Sequence, residues 1–147
     1  MEMEELLKDI PVKELIRSAI EARKKSYAPY SGYMVGAAVL TADLRIYTGC
    51  NIESASYTPS ICGERTAISK AVSEGARRIL AVAVTGSPKG EEITQYAYPC
   101  GVCRQVMREF SDPERLIVIV AKSQEEYKVH TLAQLLPESF GSENLQA

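Results

Sequence analysis

The sequence is poor in histidine, and it has no concentration of positive charge. Its only histidine, His130, lies far along the chain from the cysteine-containing segments, so we expect a surface or capping residue rather than a metal ligand. The 17 basic and 19 acidic residues give a formal charge of −2, with no basic stripe. Because proteins that bind polymeric nucleic acids usually carry a Lys/Arg-rich face, this composition argues against a nucleic-acid polymer and favours a small neutral or cationic ligand.

Long apolar runs are also missing. No run approaches membrane-spanning length, and the acidic start, Met1-Glu2-Met3-Glu4-Glu5, has no apolar core of signal-peptide length. We therefore expect no membrane partner and a cytoplasmic protein, in which reduced cysteines indicate metal binding or catalysis. With 46% hydrophobic and 24% charged residues, the chain is expected to form one domain over residues 1–147.

Three of the four cysteines stand in two short motifs. The first is Cys62-Gly63-Glu64-Arg65, and the second is Pro99-Cys100-Gly101-Val102-Cys103. A structural zinc site closes with four protein ligands, whereas a catalytic site keeps three and leaves the fourth position open. Hydrolysis also needs an acid near the metal, and Glu64 lies two residues from the first thiol. The motifs therefore predict Zn²⁺ held by Cys62, Cys100 and Cys103, with Glu64 as the catalytic acid and base.

The cysteines also allow other interpretations. A Cys-x-x-Cys motif alone also occurs in zinc ribbons and thioredoxin-like redox sites, and free cysteines often serve as small buried hydrophobes. Cys50 could supply a fourth ligand and so close a structural site. Glu64 favours the open site, because a structural zinc needs no acid beside a ligand.

Arg65 and Arg104 support a negatively charged centre. Both are predicted in first turns of helices, where the helix dipole disfavours cations. Three thiolates on one zinc ion carry net negative charge, which would make nearby guanidinium groups favourable. For Arg104, a solvated surface position remains an alternative.

Apolar spacing and turn residues predict alternating helices and strands. Helices are predicted over residues 12–26, 62–74, 100–110 and 131–136. Strands are predicted over residues 35–40 and 46–49, which form a hairpin, and over 79–85, 116–121 and 127–130. This order predicts an α/β fold, a three-layer α/β/α domain with a five-stranded mixed sheet. Leu44 resists positive φ, so the hairpin turn is expected to be longer than a tight Asp-Gly turn or of another type.

Asn51 and Glu53 follow the second strand of the hairpin. In an extended chain the side chains of Asn51 and Glu53 point to the same side. The pair could therefore bind a diol by accepting hydrogen bonds from the two hydroxyls. A turn-forming Asn and a solvated Glu are equally compatible with the spacing.

Taken together, these segments resemble a known family. The Cys-x-Glu motif followed by Pro-Cys-x-x-Cys is similar to the zinc deaminase signature, with Cys in place of the commoner His. With Tyr27-Ala28-Pro29-Tyr30-Ser31, Val35-Gly36-Ala37-Ala38, Gly49-Cys50-Asn51-Ile52-Glu53 and Leu135-Leu136-Pro137-Glu138-Ser139-Phe140, the chain resembles the small homo-oligomeric cytidine deaminases of pyrimidine salvage.

The resemblance implies specific roles at the metal. Cys62, Cys100 and Cys103 would ligate zinc, and Glu64 would be the proton shuttle in the deamination of cytidine and 2′-deoxycytidine. Arg65 would hydrogen-bond the thiolates. It also implies that Gln105 would support the metal region and that Gly63 would contact the base through its backbone carbonyl.

The resemblance implies further roles in substrate binding and assembly. Asn51 and Glu53 would hold the ribose 3′-hydroxyl, and Tyr33 would pack on the base in place of a Phe. Ala55, Tyr57 and Phe140 would complete the pocket of a neighbouring subunit in a homotetramer.

Other positions depart from the family pattern. Gly63 stands for the common Ala, and Tyr98 stands for a common Ser. The rival functions are deamination of another heterocycle, of polynucleotide cytosine or of a blasticidin-type antibiotic, and a non-catalytic zinc-stabilised binding module.

Overall fold

The computed structural model describes residues 2–145, which form five helices, five strands and a final 3₁₀ turn. In chain order the elements are α1 (Met3–Leu7), α2 (Val12–Arg23), β1 (Tyr33–Thr41), β2 (Ile46–Cys50), α3 (Gly63–Ser73), β3 (Ile79–Pro88), α4 (Gly101–Glu109), β4 (Ile117–Ala121), β5 (Tyr127–Thr131), α5 (Leu132–Leu135) and the 3₁₀ turn Ser142–Leu145. No helix in this part of the chain has both the length and the apolar character needed to span a membrane.

The five strands form one mixed sheet in the order β2-β1-β3-β4-β5. β1 pairs antiparallel with both β2 and β3. β3 and β4 are parallel, which places α4 in the crossover between them, and β5 returns antiparallel along β4. The predicted five-stranded mixed sheet is confirmed.

Alternating strand residues supply two separate apolar cores. Ala38 and Leu40 pack with residues of α2 on one face of the sheet. Ala37 and Val39, their neighbours on β1, pack with residues of α3, α4 and α5 on the other face. Because successive strand side chains point to opposite faces, one strand serves both cores. The sheet is therefore covered by helices on both sides, which confirms the predicted three-layer α/β/α arrangement.

Two glycines let helices pack directly against the sheet backbone. A Cβ added to Gly36 on β1 would lie 2.8 Å from the Cα of Arg23 in α2. A Cβ added to Gly49 on β2 would lie 2.7 Å from the carbonyl oxygen of Gly63, the first residue of α3. Gly49 thus fixes where the N-terminal end of α3 meets the sheet, and that end carries Cys62 and Glu64.

The structure differs from the sequence prediction mainly at element boundaries. Helix α2 ends at Arg23 rather than Ser26, because the amides of Lys24, Lys25 and Ser26 bond carbonyls three residues back in a tightened turn. The hairpin turn is longer than a two-residue turn, as expected. Leu44 nevertheless adopts φ 64°, a left-handed conformation at the last position of a three-residue hairpin loop, and its amide donates to the Thr41 carbonyl at 2.9 Å.

Candidate metal centre

Cys62 and Cys100 each occupy the N-cap of a helix. Both have extended backbone, with φ −76° and ψ 157° at Cys62 and φ −70° and ψ 168° at Cys100, and the helices α3 and α4 begin at the next residue. Cys103 lies in the first turn of α4 and is fully buried. Helix N-termini favour thiolates, because the unpaired amides and the dipole present partial positive charge there.

The two helix ends bring the three sulfur atoms together. Cys62 Sγ lies 3.8 Å from Cys100 Sγ, and Cys100 Sγ lies 3.5 Å from Cys103 Sγ. All three sulfurs lie within 4.8 Å of one another. A tetrahedral zinc ion with Zn–S bonds of about 2.3 Å separates its sulfur ligands by about 3.8 Å, so this donor set fits zinc. Cys50 is not part of the cluster and instead lines a different cavity against α2.

Hydrogen bonds among the thiols and Arg65 shape the charge of the cluster. The pKa of Cys62 is lowered to about 5, chiefly by a hydrogen bond from the Cys103 thiol and further by the Arg65 guanidinium. The pKa of Cys103 is raised by the same hydrogen bond and by burial. Arg65 Nη2 donates to Cys62 Sγ at 3.5 Å. Its Nε is buried and has no hydrogen-bond partner within residues 2–145.

Glu64 is a buried carboxyl beside the cluster. Only 3% of the residue is exposed, and its pKa is raised to about 7, mainly because burial disfavours the charged form. A carboxyl that titrates near neutrality can both take up and release a proton at the working pH.

The cluster and Glu64 open into one cavity of about 380 Å³. Its lining brings together residues from both helix ends, the hairpin and the loop before α4: Tyr33, Val35, Asn51, Glu53, Ser60, Ile61, Cys62, Glu64, Arg65, Val84, Ala97, Tyr98 and Cys100. The cavity is therefore lined by two of the predicted ligands, Cys62 and Cys100, and by five other predicted site residues: Tyr33, Asn51, Glu53, Glu64 and Arg65. The Gly63 carbonyl, by contrast, faces Gly49 on β2.

The side chain of Asn51 is largely used within the protein. Its Oδ1 accepts hydrogen bonds from the Val35 amide at 2.9 Å and from the Ser26 hydroxyl, and its Nδ2 donates to the Tyr33 carbonyl at 2.8 Å. Both lone pairs of the oxygen are thus occupied, and one N–H remains. Asn51 can therefore offer a ligand a donor, not the acceptor that we expected.

Glu53 keeps acceptor capacity at the rim of the cavity. Its Oε1 accepts from the amides of Tyr30 and Ser31 at 3.0 Å each, and its Oε2 accepts from the Ser31 hydroxyl. The Ser31 hydroxyl is the main reason why the pKa of Glu53 is lowered. The carboxylate is thus fixed and ionised, with one acceptor site left on Oε2.

Besides Cys103 and Gly63, four residues to which the resemblance assigns a role do not line this cavity: Ala55, Tyr57, Gln105 and Phe140. Tyr57 is 72% exposed and lies edge-on to Tyr30, with ring centroids 6.3 Å apart. Phe140 is 57% exposed, and Gln105 Nε2 donates to its carbonyl oxygen at 2.9 Å rather than to a sulfur. Ala55 lies in the exposed turn that precedes Tyr57. Their implied roles stay predictions.

Some contacts at the site were not anticipated from the sequence. Arg104 Nε donates to the Pro99 carbonyl at 2.8 Å, and its Nη1 donates to the Leu135 carbonyl at 2.7 Å, so it ties the loop before α4 to the C-terminal end of α5. His130 is not part of the three-cysteine cluster, and its Nε2 lies within hydrogen-bond distance of the Tyr98 hydroxyl in the cavity wall. No local sequence signal links residues so far apart.

Comparisons with known proteins agree with this geometry. Residues 11–120 match the family model described as the cytidine and deoxycytidylate deaminase zinc-binding region. The chain is 42% identical over 134 residues to the cytidine deaminase of Sporosarcina psychrophila, across 91% of this chain and 94% of that protein. This chain belongs to the cytidine deaminase family. The cytidine deaminase of Halalkalibacterium halodurans is 43% identical across 89% of this chain and 95% of its own length.

Solved structures of cytidine deaminases have the same fold. That of the Burkholderia pseudomallei enzyme superposes with a TM-score of 0.77 at 43% identity, covering 86% of this chain and 97% of its own. That of the Mycobacterium tuberculosis enzyme superposes with a TM-score of 0.75 at 34% identity, covering 90% of this chain and 99% of its own. The predictions of an enzyme, of this family and of its fold are therefore confirmed.

Proposed function

We propose that this protein hydrolyses cytidine and 2′-deoxycytidine to uridine and 2′-deoxyuridine, with release of ammonia, in pyrimidine salvage. The observation that carries the proposal is a buried carboxyl, Glu64, in the same cavity as a three-sulfur cluster at two helix ends. A structural metal site has no use for such a carboxyl, whereas hydrolysis requires a group that moves protons beside the metal.

Cys62, Cys100 and Cys103 would hold Zn²⁺. When bound by three thiolates with one open position, zinc supplies Lewis-acid activation of water. Arg65 tempers the negative charge of the thiolates by donating to Cys62 Sγ. The Arg104 side chain donates hydrogen bonds to the carbonyls of Pro99 and Leu135 and so holds the loop that brings Cys100 to the cluster.

Glu64 would carry the protons of the reaction. Its carboxylate takes a proton from the attacking water and delivers it to N3 of the pyrimidine, while the water oxygen bonds to C4. Glu64 then helps to protonate the departing amine, so that cytidine and water become uridine and ammonia. A pKa raised to about 7 suits both steps, because the group has to accept and release a proton in one cycle.

The other end of the cavity would bind the ribose. The remaining N–H of Asn51 can donate to the 3′-hydroxyl oxygen, and the free site on Glu53 Oε2 can accept a hydrogen bond from that hydroxyl. A donor and an acceptor together match a hydroxyl, which is both. Tyr33 would pack on the base, and a cavity of about 380 Å³ is of the size that holds a small ligand.

We also propose that the protein is a cytoplasmic homotetramer acting on free nucleosides. Ala55, Tyr57 and Phe140 do not reach their own chain's cavity, and the exposed aromatic rings of Tyr57 and Phe140 suit contact with a second copy. The formal charge of −2 offers no attraction to a nucleic-acid polymer.

Ammonia release from purified, zinc-loaded protein tests the proposed function. Cytidine, deoxycytidine, cytosine and adenosine would be compared at equal concentration. We expect release from the first two, because only they combine the 4-aminopyrimidine with a ribose or deoxyribose. Release from none of the four would indicate a non-catalytic zinc module, and preference for adenosine would indicate a different deaminase.

A further inference from the structure

The loop between β3 and α4 leads directly into the metal cluster and carries an aromatic residue into the cavity wall. Tyr98 stands two residues before Cys100 and lines the cavity. Its hydroxyl oxygen lies 3.1 Å from His130 Nε2, and the two rings are 5.5 Å apart at a tilt of 55°. A residue of the wall is thus bound to the edge strand of the sheet.

His130 reaches Tyr98 because of its place on β5. It pairs with Val118 on β4, and directly opposed residues in an antiparallel pair project to the same face. Val118 packs into the core under α3 and α4, so His130 lies on the face of the sheet that carries the metal cluster. His130 is not among the cavity-lining residues. The Tyr98 hydroxyl is therefore directed to a partner outside the cavity lining, which leaves the rest of the residue to form the wall.

The remainder of the loop is held by contacts that do not reach the cavity. Lys122 and Lys128 place their ammonium groups 4.6 and 4.7 Å from the centre of the Tyr96 ring. Arg104 bonds the carbonyl of Pro99. These contacts fix the path of the backbone. Among the described residues, the hydrogen bond with His130 is the only one made by the Tyr98 side chain, which faces the cavity.

We propose that Tyr98 is a substrate-binding residue and that His130 is the positioning residue that holds it in the wall of the cavity. The inference rests on the proposed function. The pair acts on binding of the nucleoside and not on zinc or on proton transfer by Glu64, because neither side chain contacts a sulfur or the carboxyl among the hydrogen bonds of residues 2–145. Losing one neutral hydrogen bond is expected to weaken binding roughly three- to tenfold.

The test uses three single variants of the zinc-loaded protein: His130→Ala, His130→Gln and Tyr98→Phe. The dissociation constant of uridine is measured by calorimetry, and KM and kcat are measured with cytidine. We expect His130→Ala and Tyr98→Phe to raise the dissociation constant of uridine and the KM for cytidine by roughly three- to tenfold. We expect kcat to stay within about twofold of that of the unaltered protein, and zinc content to be unchanged. His130→Gln, which keeps a hydrogen-bonding group, is expected to recover part of the loss.

The double variant Tyr98→Phe/His130→Ala tests whether the two residues act through one contact. We expect it to bind uridine no more weakly than the weaker single variant, because both changes remove the same bond. Glu125→Ala, an exposed position in the turn before β5, is the matched control and is expected to match the unaltered protein.

Several results would overturn the inference. These are unaltered uridine binding in both single variants, fully additive losses in the double variant, or a loss of zinc. Failure of the unaltered protein to release ammonia from cytidine would instead overturn the proposed function itself. In that case, failure of the unaltered protein to bind uridine would overturn the inference as well.

Discussion

At the scale of single residues, Glu64 carries the chemistry, because its carboxyl is buried next to the thiols that fit zinc. Glu64→Gln keeps the shape and a hydrogen-bonding side chain but cannot transfer a proton. We expect turnover of cytidine to fall by at least about 10²-fold, the low end of what positioned acid–base groups contribute. Ammonia release and zinc content, measured on the same preparation, check this. Near-normal turnover by the variant would contradict the assignment.

The burial of Glu64 also predicts a pH dependence of stability in metal-free protein. The ordinary pKa is 4.5, and the folded-state value is raised to about 7, so the folded state binds more protons between these values. Stability is therefore lost as the pH rises from 4.5 through 7, by an amount on the order of 2–4 kcal/mol for this group. Glu64→Gln removes that loss.

Urea unfolding of both proteins at pH 5 and pH 8, in the presence of a chelator, measures the effect. Glu64→Gln is expected to be more stable than the unaltered protein at pH 8. The difference between their free energies of unfolding should be smaller at pH 5. A difference that does not change with pH would show that Glu64 does not titrate in this range. Bound zinc should reduce the difference in free energy of unfolding between the two proteins at pH 8, because a nearby cation stabilises the Glu64 carboxylate.

At the scale of elements, the position of α3 on the sheet sets the geometry of the site. Gly49→Ala would place a methyl group against the first turn of α3, 2.7 Å from the Gly63 carbonyl and close to the Ala67 amide. Overpacking of this kind costs roughly 1–3 kcal/mol. Since backbone cannot move aside as a side chain can, we expect α3 to shift and zinc affinity to fall as well. Urea unfolding and a zinc competition titration would measure both.

Gly101→Ala is the matched control for this substitution. Gly101 follows Cys100 at the start of α4, and a Cβ there would meet nothing within 4 Å. Alanine should leave zinc binding unchanged and stabilise the helix slightly. If Gly49→Ala behaved like Gly101→Ala, the packing of α3 on β2 would not control the metal site.

The element order and the helix ends could be predicted from the sequence because their signals are local. Apolar spacing marked the helices and strands, and Cys62 and Cys100 were expected at the beginnings of α3 and α4, where both serve as N-caps. The contact of Tyr98 with His130 could not be predicted, because it depends on β5 lying beside the loop before α4. The donor role of Asn51 was missed for a similar reason: its acceptor sites are filled by Ser26 and Val35, which are distant in sequence.

At the scale of the whole molecule, the proposed tetramer accounts for residues that one chain leaves unused. The loop with Tyr57 and the C-terminal segment with Phe140 are exposed, and α4 ties that segment down through Gln105 and Arg108. We expect light scattering to give the mass of four 16.2 kDa chains. Phe140→Ala should raise KM without loss of zinc. A monomer with full activity would contradict the shared site.

The central claim is that three sulfurs hold a metal whose fourth position stays open beside Glu64. X-ray absorption at the zinc edge, recorded on the zinc-loaded protein, tests it most directly. We predict three sulfur neighbours at about 2.3 Å and one oxygen neighbour at about 2.0 Å. Four sulfur neighbours would contradict the claim, because a closed site has no place for the water that hydrolysis consumes.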